Sequence, residues 1–296
     1  MNIGMTLPVM EPGLTRNNLY EWTNQIDKGP WSSIALGERI VFDNPEFISM
    51  LSAVAAWTSN VEIISTVSVL SMHDPVLSAK QFATIDMLSE GRLTVGVGVG
   101  GRQEDYEAIG SDWKNHRWKK VSEYSKIMQS IWASEFEQDI GPKPVQTKGP
   151  KILAGAIGPK ALSMSADYAS GIAGFSFNAD IEEISDAAVR AREAFSIKGM
   201  KEPRIVTSFW FAIGKDSRLQ MQSHLKRYLA WMGKEIAENL AANAGFCGSI
   251  EDLAKLIKQV KECGVDDLLL VPTSKDLKQV IELSLIHISE PTRLDG

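Results

Sequence analysis

The chain is poor in cysteine, carries no excess of basic charge and lacks any long apolar run. Two cysteines in 296 residues, Cys247 and Cys263, make neither a disulfide framework nor a metal-binding quartet. Such usage points to a reducing, cytoplasmic compartment. Lys and Arg number 31 against 37 Asp and Glu, a net charge of −6 with no dense basic block, which argues against a nucleic-acid partner. No apolar stretch approaches the ~20 residues that span a bilayer. The opening MNIGMTLPVM has no basic n-region, so neither a membrane anchor nor a signal peptide is expected. H-E-x-x-H, G-x-S-x-G and G-x-x-x-x-G-K-[ST] are also missing. Zinc-protease, serine-hydrolase and P-loop chemistries therefore have no support, and no metal is expected.

Short apolar runs rich in β-formers alternate with longer helical patterns. Strands are predicted at 2–8, 32–37, 61–70, 92–99, 151–155, 170–175, 204–213 and 266–272. Helical periodicity fills the gaps, as in PEFISMLSAVAAWTS, HRWKKVSEYSKIMQSIWAS and SIEDLAKLIKQVKECG. Alternation of this kind builds βαβ units and a parallel sheet. Eight such units predict an α/β fold, a single (β/α)8 barrel over residues 1–282. Insertions are expected after strands 4, 5 and 7, the last carrying one long amphipathic helix from Ser217 to Ala244.

The run GRLTVGVGVGGRQEDY (91–106) matches the dinucleotide fingerprint G-x-G-x-x-G. Its context fails that motif. The acid at the right distance, Glu123, sits in a helical stretch with no intervening strand, and the run falls in the fourth βαβ unit rather than the first. The period is more informative. Gly96, Gly98 and Gly100 alternate with Val95, Val97 and Val99, so glycines and valines occupy opposite strand faces. One face is stripped of side chains, as a site for something flat requires. The competing reading is that small residues fit a crowded barrel interior. A second glycine-bearing segment, AGAIGPKALS (154–163), follows the fifth strand and opens a helix. Gly155 and Gly158 permit close backbone approach, Pro159 suits a first helical position, and Lys160 adds charge. Exposed N–H groups there suit a phosphate, although a plain Gly-Pro helix start reads the same way.

Residues 75–110, PVLSAKQFATIDMLSEGRLTVGVGVGGRQEDYEAIG, resemble the bacterial luciferase-like monooxygenases. The shared pattern is a helix ending in L-D-x-L-S-x-G-R, a Gly-rich fourth strand and an acidic-aromatic helix start. The resemblance extends more weakly through SSIALGERI, VEIISTVSVLSMHDP, GPKILAGAIGPKAL and the closing GSIEDLAKLIKQVKECGVDDLLLVP. It implies a flavin- or deazaflavin-dependent oxidoreductase, using FMN or coenzyme F-420 on a small organic substrate by hydride transfer or O2-dependent monooxygenation. It also implies a homodimer. The 140–153 stretch leans toward the F-420 branch.

The resemblance distributes roles along the chain. Thr66, Val67 and Ser68, at a non-proline cis bond placed at Thr66–Val67 or Val67–Ser68, would back the cofactor ring. Gly98 and Gly100 would line it, and Gly155, Ala156, Ile157, Gly158 and Lys160 would cradle the phosphate. Many relatives carry an acid followed by His at the end of the second strand; here Glu38 and Arg39 stand there. Arg39 cannot shuttle a proton at neutral pH, and is read as stabilising negative charge. Glu38 is either a base or the ion-pair partner of Arg39. The missing His motivates an alternative, a non-catalytic flavin-binding barrel. His73, His116 and Asp105 are weaker candidates, Trp210 and Phe211 could wall a pocket, and His224 is read as part of a packing face.

The terminal LSLIHISEPTR (283–293) resembles the in-frame translation of a sequencing-library adapter. Residues 283–296 are therefore read as a non-native tail and set aside.

Overall fold

A computed structural model describes residues 1–156 and 158–289. Its nine strands are all parallel to their neighbours. They are β1 (Asn2–Thr6), β2 (Ser33–Leu36), β3 (Glu62–Ser65), β4 (Leu93–Val97), β5 (Lys151–Ala154), β6 (Gly171–Ala173), β7 (Arg204–Ile213), β8 (Phe246–Gly248) and β9 (Asp267–Pro272). Strands β1 to β7 pair in chain order, and β9 closes the ring between β7 and β1, with Val206 opposite Asp267 and Met5 opposite Leu270. The eight predicted strands thus form the expected closed (β/α)8 barrel. The ninth, β8, was not anticipated; it adds to the end of β7, with Ala212 opposite Cys247.

Side-chain alternation builds the core in layers. Ala35, Ile64, Leu153, Val206 and Leu269 form a small apolar cluster of their own inside the barrel. Their neighbours in sequence, including Ile63, Ile152, Ile205 and Leu268, face outward and pack with the helices in the main core. Beneath the inner cluster lies a charged layer. Arg204 donates two hydrogen bonds to Glu62 at 2.7 Å and two to Asp267 at 2.7 and 2.9 Å. Helices start on side-chain caps: Asp74 accepts from Val76 and Leu77 at the head of α3 (Pro75–Leu88), and Asp180 from Glu183 at α7 (Ile181–Ile197).

The extra chain lies after β4 and β7. Helices α4 (Gln103–Ala108) and α5 (Arg117–Trp132) and the loop 136–150 all precede β5, and the connection after β5 holds only α6 (Pro159–Ser165). The long helix expected after β7 is two helices, α8 (Ser217–Tyr228) and α9 (Lys234–Asn243). Gly233 breaks it at φ 93°, a conformation open to glycine and poor for other residues. The last helix, α11 (Lys278–Ser289), passes Leu283, which is buried; residues 290–296 of the expected tail lie outside the described residues. Among the described residues no helix is long and apolar enough to cross a membrane.

Candidate active site at the barrel mouth

The C-terminal ends of the strands surround a cavity. Thr6, Gly37, Thr66, Ser208 and Trp210 line it from the barrel, and His224 and Tyr228 from α8. The rest of the wall is apolar or proline except for backbone. Trp210 belongs to an aromatic cluster with Phe175, Phe177 and Tyr228, at ring separations of 4.4, 5.4 and 5.9 Å. Trp210 therefore walls the cavity as expected, whereas Phe211 faces outward into the main core. The Thr6 hydroxyl is buried and has no hydrogen-bond partner among the described residues.

Beyond β3 the chain continues along β4 through residues 66–69. The Thr66–Val67 peptide bond is cis. Ser68 N–H donates to Gly96 O at 2.9 Å, and Gly98 N–H donates to Ser68 O at 2.8 Å. This continuation occupies the glycine face of β4. A Cβ on Gly98 would stand 2.8 Å from Val67 Cγ2, and one on Gly100 would stand 2.9 Å from Val69 Cγ1. The face cleared by the glycines is thus filled by Val67 and Val69, and the stripped strand seats the end of β3. Gly155 joins the same seam, 3.1 Å from Val67 Cγ1 by the same measure. Ala156 is buried in the main core, while Gly158 and Lys160 are exposed at the start of α6. Ile157 lies outside the described residues.

Glu38 and Arg39 are both buried, and neither lines the cavity. Glu38 Oε2 accepts the Val69 N–H at 2.6 Å and the Ser68 hydroxyl at 3.4 Å, and Oε1 meets His73 Nε2 at 2.7 Å. Its carboxylate thereby braces the 66–69 segment. Burial disfavours the His73 cation, but the hydrogen bond and charge of Glu38, with Glu46 beyond, outweigh that and hold the imidazole pKa above its ordinary value. Arg39 donates through Nε to Asp105 at 3.2 Å and through Nη2 to Glu104 and the Val41 carbonyl, at 3.1 and 3.0 Å. It is not paired with Glu38. Asp105 also accepts the Ile40 and Val41 N–H groups, so it fixes the loop after β2 rather than only compensating a helix dipole. Burial, and then the neighbouring Arg102, press the Arg39 pKa down, against the pull of Asp105. Arg102 lies 4.7 Å over the Tyr228 ring, and Arg39 Nη1 and Arg102 Nε are buried without partners.

His224, read from sequence as packing, stands in the cavity wall. It is 3% exposed, and its Nδ1 is 2.5 Å from Glu11 Oε1. Glu11 also accepts from Arg227. Burial and then Arg227 lower the His224 pKa, overriding Glu11. In sequence His224 falls in step with Met221, Leu225 and Tyr228 on the buried face of its helix, so nothing local sets it apart from packing residues. His116 does not line the cavity; it stands at the head of α5 with φ 52°. Among the described residues no cluster of three or more His, Cys, Asp or Glu could hold a metal.

Three comparisons bear on this architecture. Over 139 residues the chain is 28% identical to the pyrimidine monooxygenase RutA of a Bradyrhizobium species, spanning 43% of this chain and 38% of that one. It is 29% identical over 134 residues to an FMNH(2)-dependent dimethylsulfone monooxygenase of Pseudomonas putida, spanning 41% and 37%. The matches thus span less than half the length of these curated relatives. The fold superposes on an F420-dependent secondary alcohol dehydrogenase with a TM-score of 0.77 at 17% identity, covering 95% and 96% of the two chains. Residues 8–274, nearly the whole barrel, match the family described as luciferase-like monooxygenase, and the chain belongs to that family.

Proposed function

We propose that the protein is a flavin- or deazaflavin-dependent oxidoreductase acting on a small organic substrate at the barrel mouth. The observation that carries this reading is the cavity wall: mostly aromatic and aliphatic, with a few polar groups that include the buried hydroxyl of Thr6, unpartnered among the described residues. Buried polar groups in native proteins normally have partners, and a pocket of apolar walls with few polar groups is the usual form of a cofactor or ligand site. A flat ring with a polar edge fits that donor set.

Thr66, Val67 and Ser68 would back the ring, braced by Glu38. Gly98 and Gly100 act through the seating of Val67 and Val69. Gly155, Ala156, Gly158 and Lys160 would lie along the phosphate; a Cβ at Gly158 would meet nothing within 4 Å among the described residues, which leaves that position open to a ligand. FMN or coenzyme F-420 supplies two-electron chemistry when bound. The protein positions it, excludes water and controls charge. Arg39 and Arg102, two guanidiniums beside Tyr228, would favour negative charge near the mouth. The relatives divide between FMNH2 and F420 in name, and none supports the non-catalytic alternative.

Anaerobic titration of the purified protein with FMN, reduced FMN and coenzyme F-420 tests the reading. Saturable binding of at least one is expected; binding of none at micromolar concentration removes it.

A further inference from the structure

We propose that the Glu11–His224 pair is the acid–base group of this site, with His224 Nε2 the atom that takes a proton from, and returns it to, an O–H or N–H of the ligand. This rests on the oxidoreductase reading and goes beyond it, because neither residue belongs to the strand-end positions that the sequence pattern singles out.

The geometry points to His224 by elimination within the wall. Of the residues lining the cavity, His224 and Tyr228 are the titratable ones among those described. Of the two side-chain types, imidazole is the one suited to proton exchange near neutral pH. Glu38 and Arg39 stand outside the lining, with their polar atoms committed to Val69, His73, Asp105 and Glu104.

The pair also has its orientation fixed. A carboxylate only accepts, so the Glu11 contact places the hydrogen on Nδ1 and leaves Nε2 as the lone-pair nitrogen. Nε2 makes no hydrogen bond with any described residue. Glu11 is in turn held by Arg227, which also donates to the Met10 carbonyl at 3.1 Å. The ring lies flat on Tyr228, with centroids 5.8 Å apart and planes 13° off parallel. An imidazole held in one tautomer by a carboxylate, with its second nitrogen free beside a cavity, has the parts of a general base.

The groups facing the imidazole are Glu11 from the loop after β1, and Arg227 and Tyr228 from its own helix. Strands β7 and β9 bring only uncharged residues to the cavity, among them Ser208, Trp210, Val271 and Pro272. Burial disfavours the imidazolium and holds its pKa below the ordinary value. In the proton step the ligand's O–H or N–H bond breaks with its electron pair left on the heteroatom. The proton forms the Nε2–H bond, and the imidazolium is held by Glu11. No oxidant takes part in that step.

The test needs no substrate. Diethylpyrocarbonate acylates neutral imidazole, and labelling of each histidine is followed by peptide mass spectrometry. In the wild-type chain, His224 labelling should rise with pH through a midpoint below the ordinary imidazole value, reporting a reactive free nitrogen. Glu11→Gln should move that midpoint further down, and Glu11→Asp should restore it in part. Saturating FMN or coenzyme F-420, whichever binds, should abolish labelling of His224 and leave His116 unchanged. The proposal is overturned if His224 resists the reagent at every pH while His116 reacts. It is equally overturned if Glu11→Gln leaves the midpoint where it was, or if bound cofactor fails to protect. If neither cofactor binds, the oxidoreductase reading fails, whereas the pH dependence of His224 and its response to Glu11 are still decided.

Discussion

Val67 occupies the space that Gly98 leaves empty: a Cβ at position 98 would lie 2.8 Å from Val67 Cγ2. The glycine ladder of β4 is therefore one half of a steric pair, whose other half is the segment beyond β3 that borders the cavity. Gly98→Ala should destabilise the barrel by about 1–3 kcal/mol, the usual cost of overpacking. The Gly98→Ala, Val67→Ala double variant should recover part of that loss. Gly96→Ala should cost more than Gly98→Ala, because its Cβ would fall 2.1 Å from the Ser65 carbonyl oxygen, and backbone gives way less easily than a methyl. Urea unfolding of wild type, Gly98→Ala, Val67→Ala and the double variant forms a double-mutant cycle, with Gly96→Ala as a fifth, control chain. Strict additivity of positions 67 and 98 would mean that the contact is not the cause.

Beneath the inner apolar layer, Arg204 answers two carboxylates at once, and its pKa is pushed above the ordinary guanidinium value by Glu62, against burial, with help from Asp267. Arg204→Met leaves Glu62 and Asp267 facing each other across the barrel floor without their cation. A loss of about 3 kcal/mol is expected. The floor is far from the mouth, so cofactor affinity should hold in the fraction that stays folded. A change under 1 kcal/mol in urea unfolding would show that the two carboxylates find water or other partners.

Much of this architecture is legible along the chain, for a reason visible in particular residues. Ile63 and Ile64 face opposite sides of β3, and both are apolar because barrel strands are covered on both faces; such runs stand out. Strand β8 does not, since Phe246–Gly248 is three residues long and follows a glycine. The break at Gly233 is equally quiet, because a glycine inside a helical pattern is often carried through. At the site, strand ends are readable but bonding partners are not. Glu38 looks like a base until His73 and the Val69 N–H are seen to occupy it. His224 looks like packing until the fold brings Glu11 to it from 213 positions away.

The two histidine–glutamate partnerships should oppose each other in the pH dependence of stability. His73 titrates higher in the folded chain than its ordinary 6.5. Its pairing with Glu38 therefore contributes fully below the unfolded value and is lost as pH rises through the folded one. Replacing it by His73→Gln should cost most below the ordinary imidazole value and progressively less as pH rises above it. His224 titrates lower when folded, so its contribution is present above the unfolded value and is lost as pH falls. The stability gap between wild type and His224→Gln should accordingly narrow on acidification, while the His73→Gln gap widens. Urea midpoints of the three chains from below to above the ordinary imidazole value decide it, and gaps of the same slope would contradict the assignment.

Thr6 offers a test that separates function from folding. Its hydroxyl is buried without a partner in the wall of the cavity, so the ligand-free protein bears the cost of desolvating it. Thr6→Val keeps the branched shape and removes the polar atom. Without ligand the variant should be more stable than wild type by about 1 kcal/mol, since an unsatisfied buried group costs roughly 1–3 kcal/mol. If the hydroxyl is there to meet a bound molecule, the same change should weaken cofactor or substrate binding by about tenfold, the equivalent of one hydrogen bond of about 1.4 kcal/mol. Thermal unfolding and anaerobic titration of the same preparation read both effects. Gain of stability with loss of affinity is the signature of a group held ready for a ligand. Loss of stability instead would place the hydroxyl among the structural groups of the barrel and take the cavity's main polar contact away from the site.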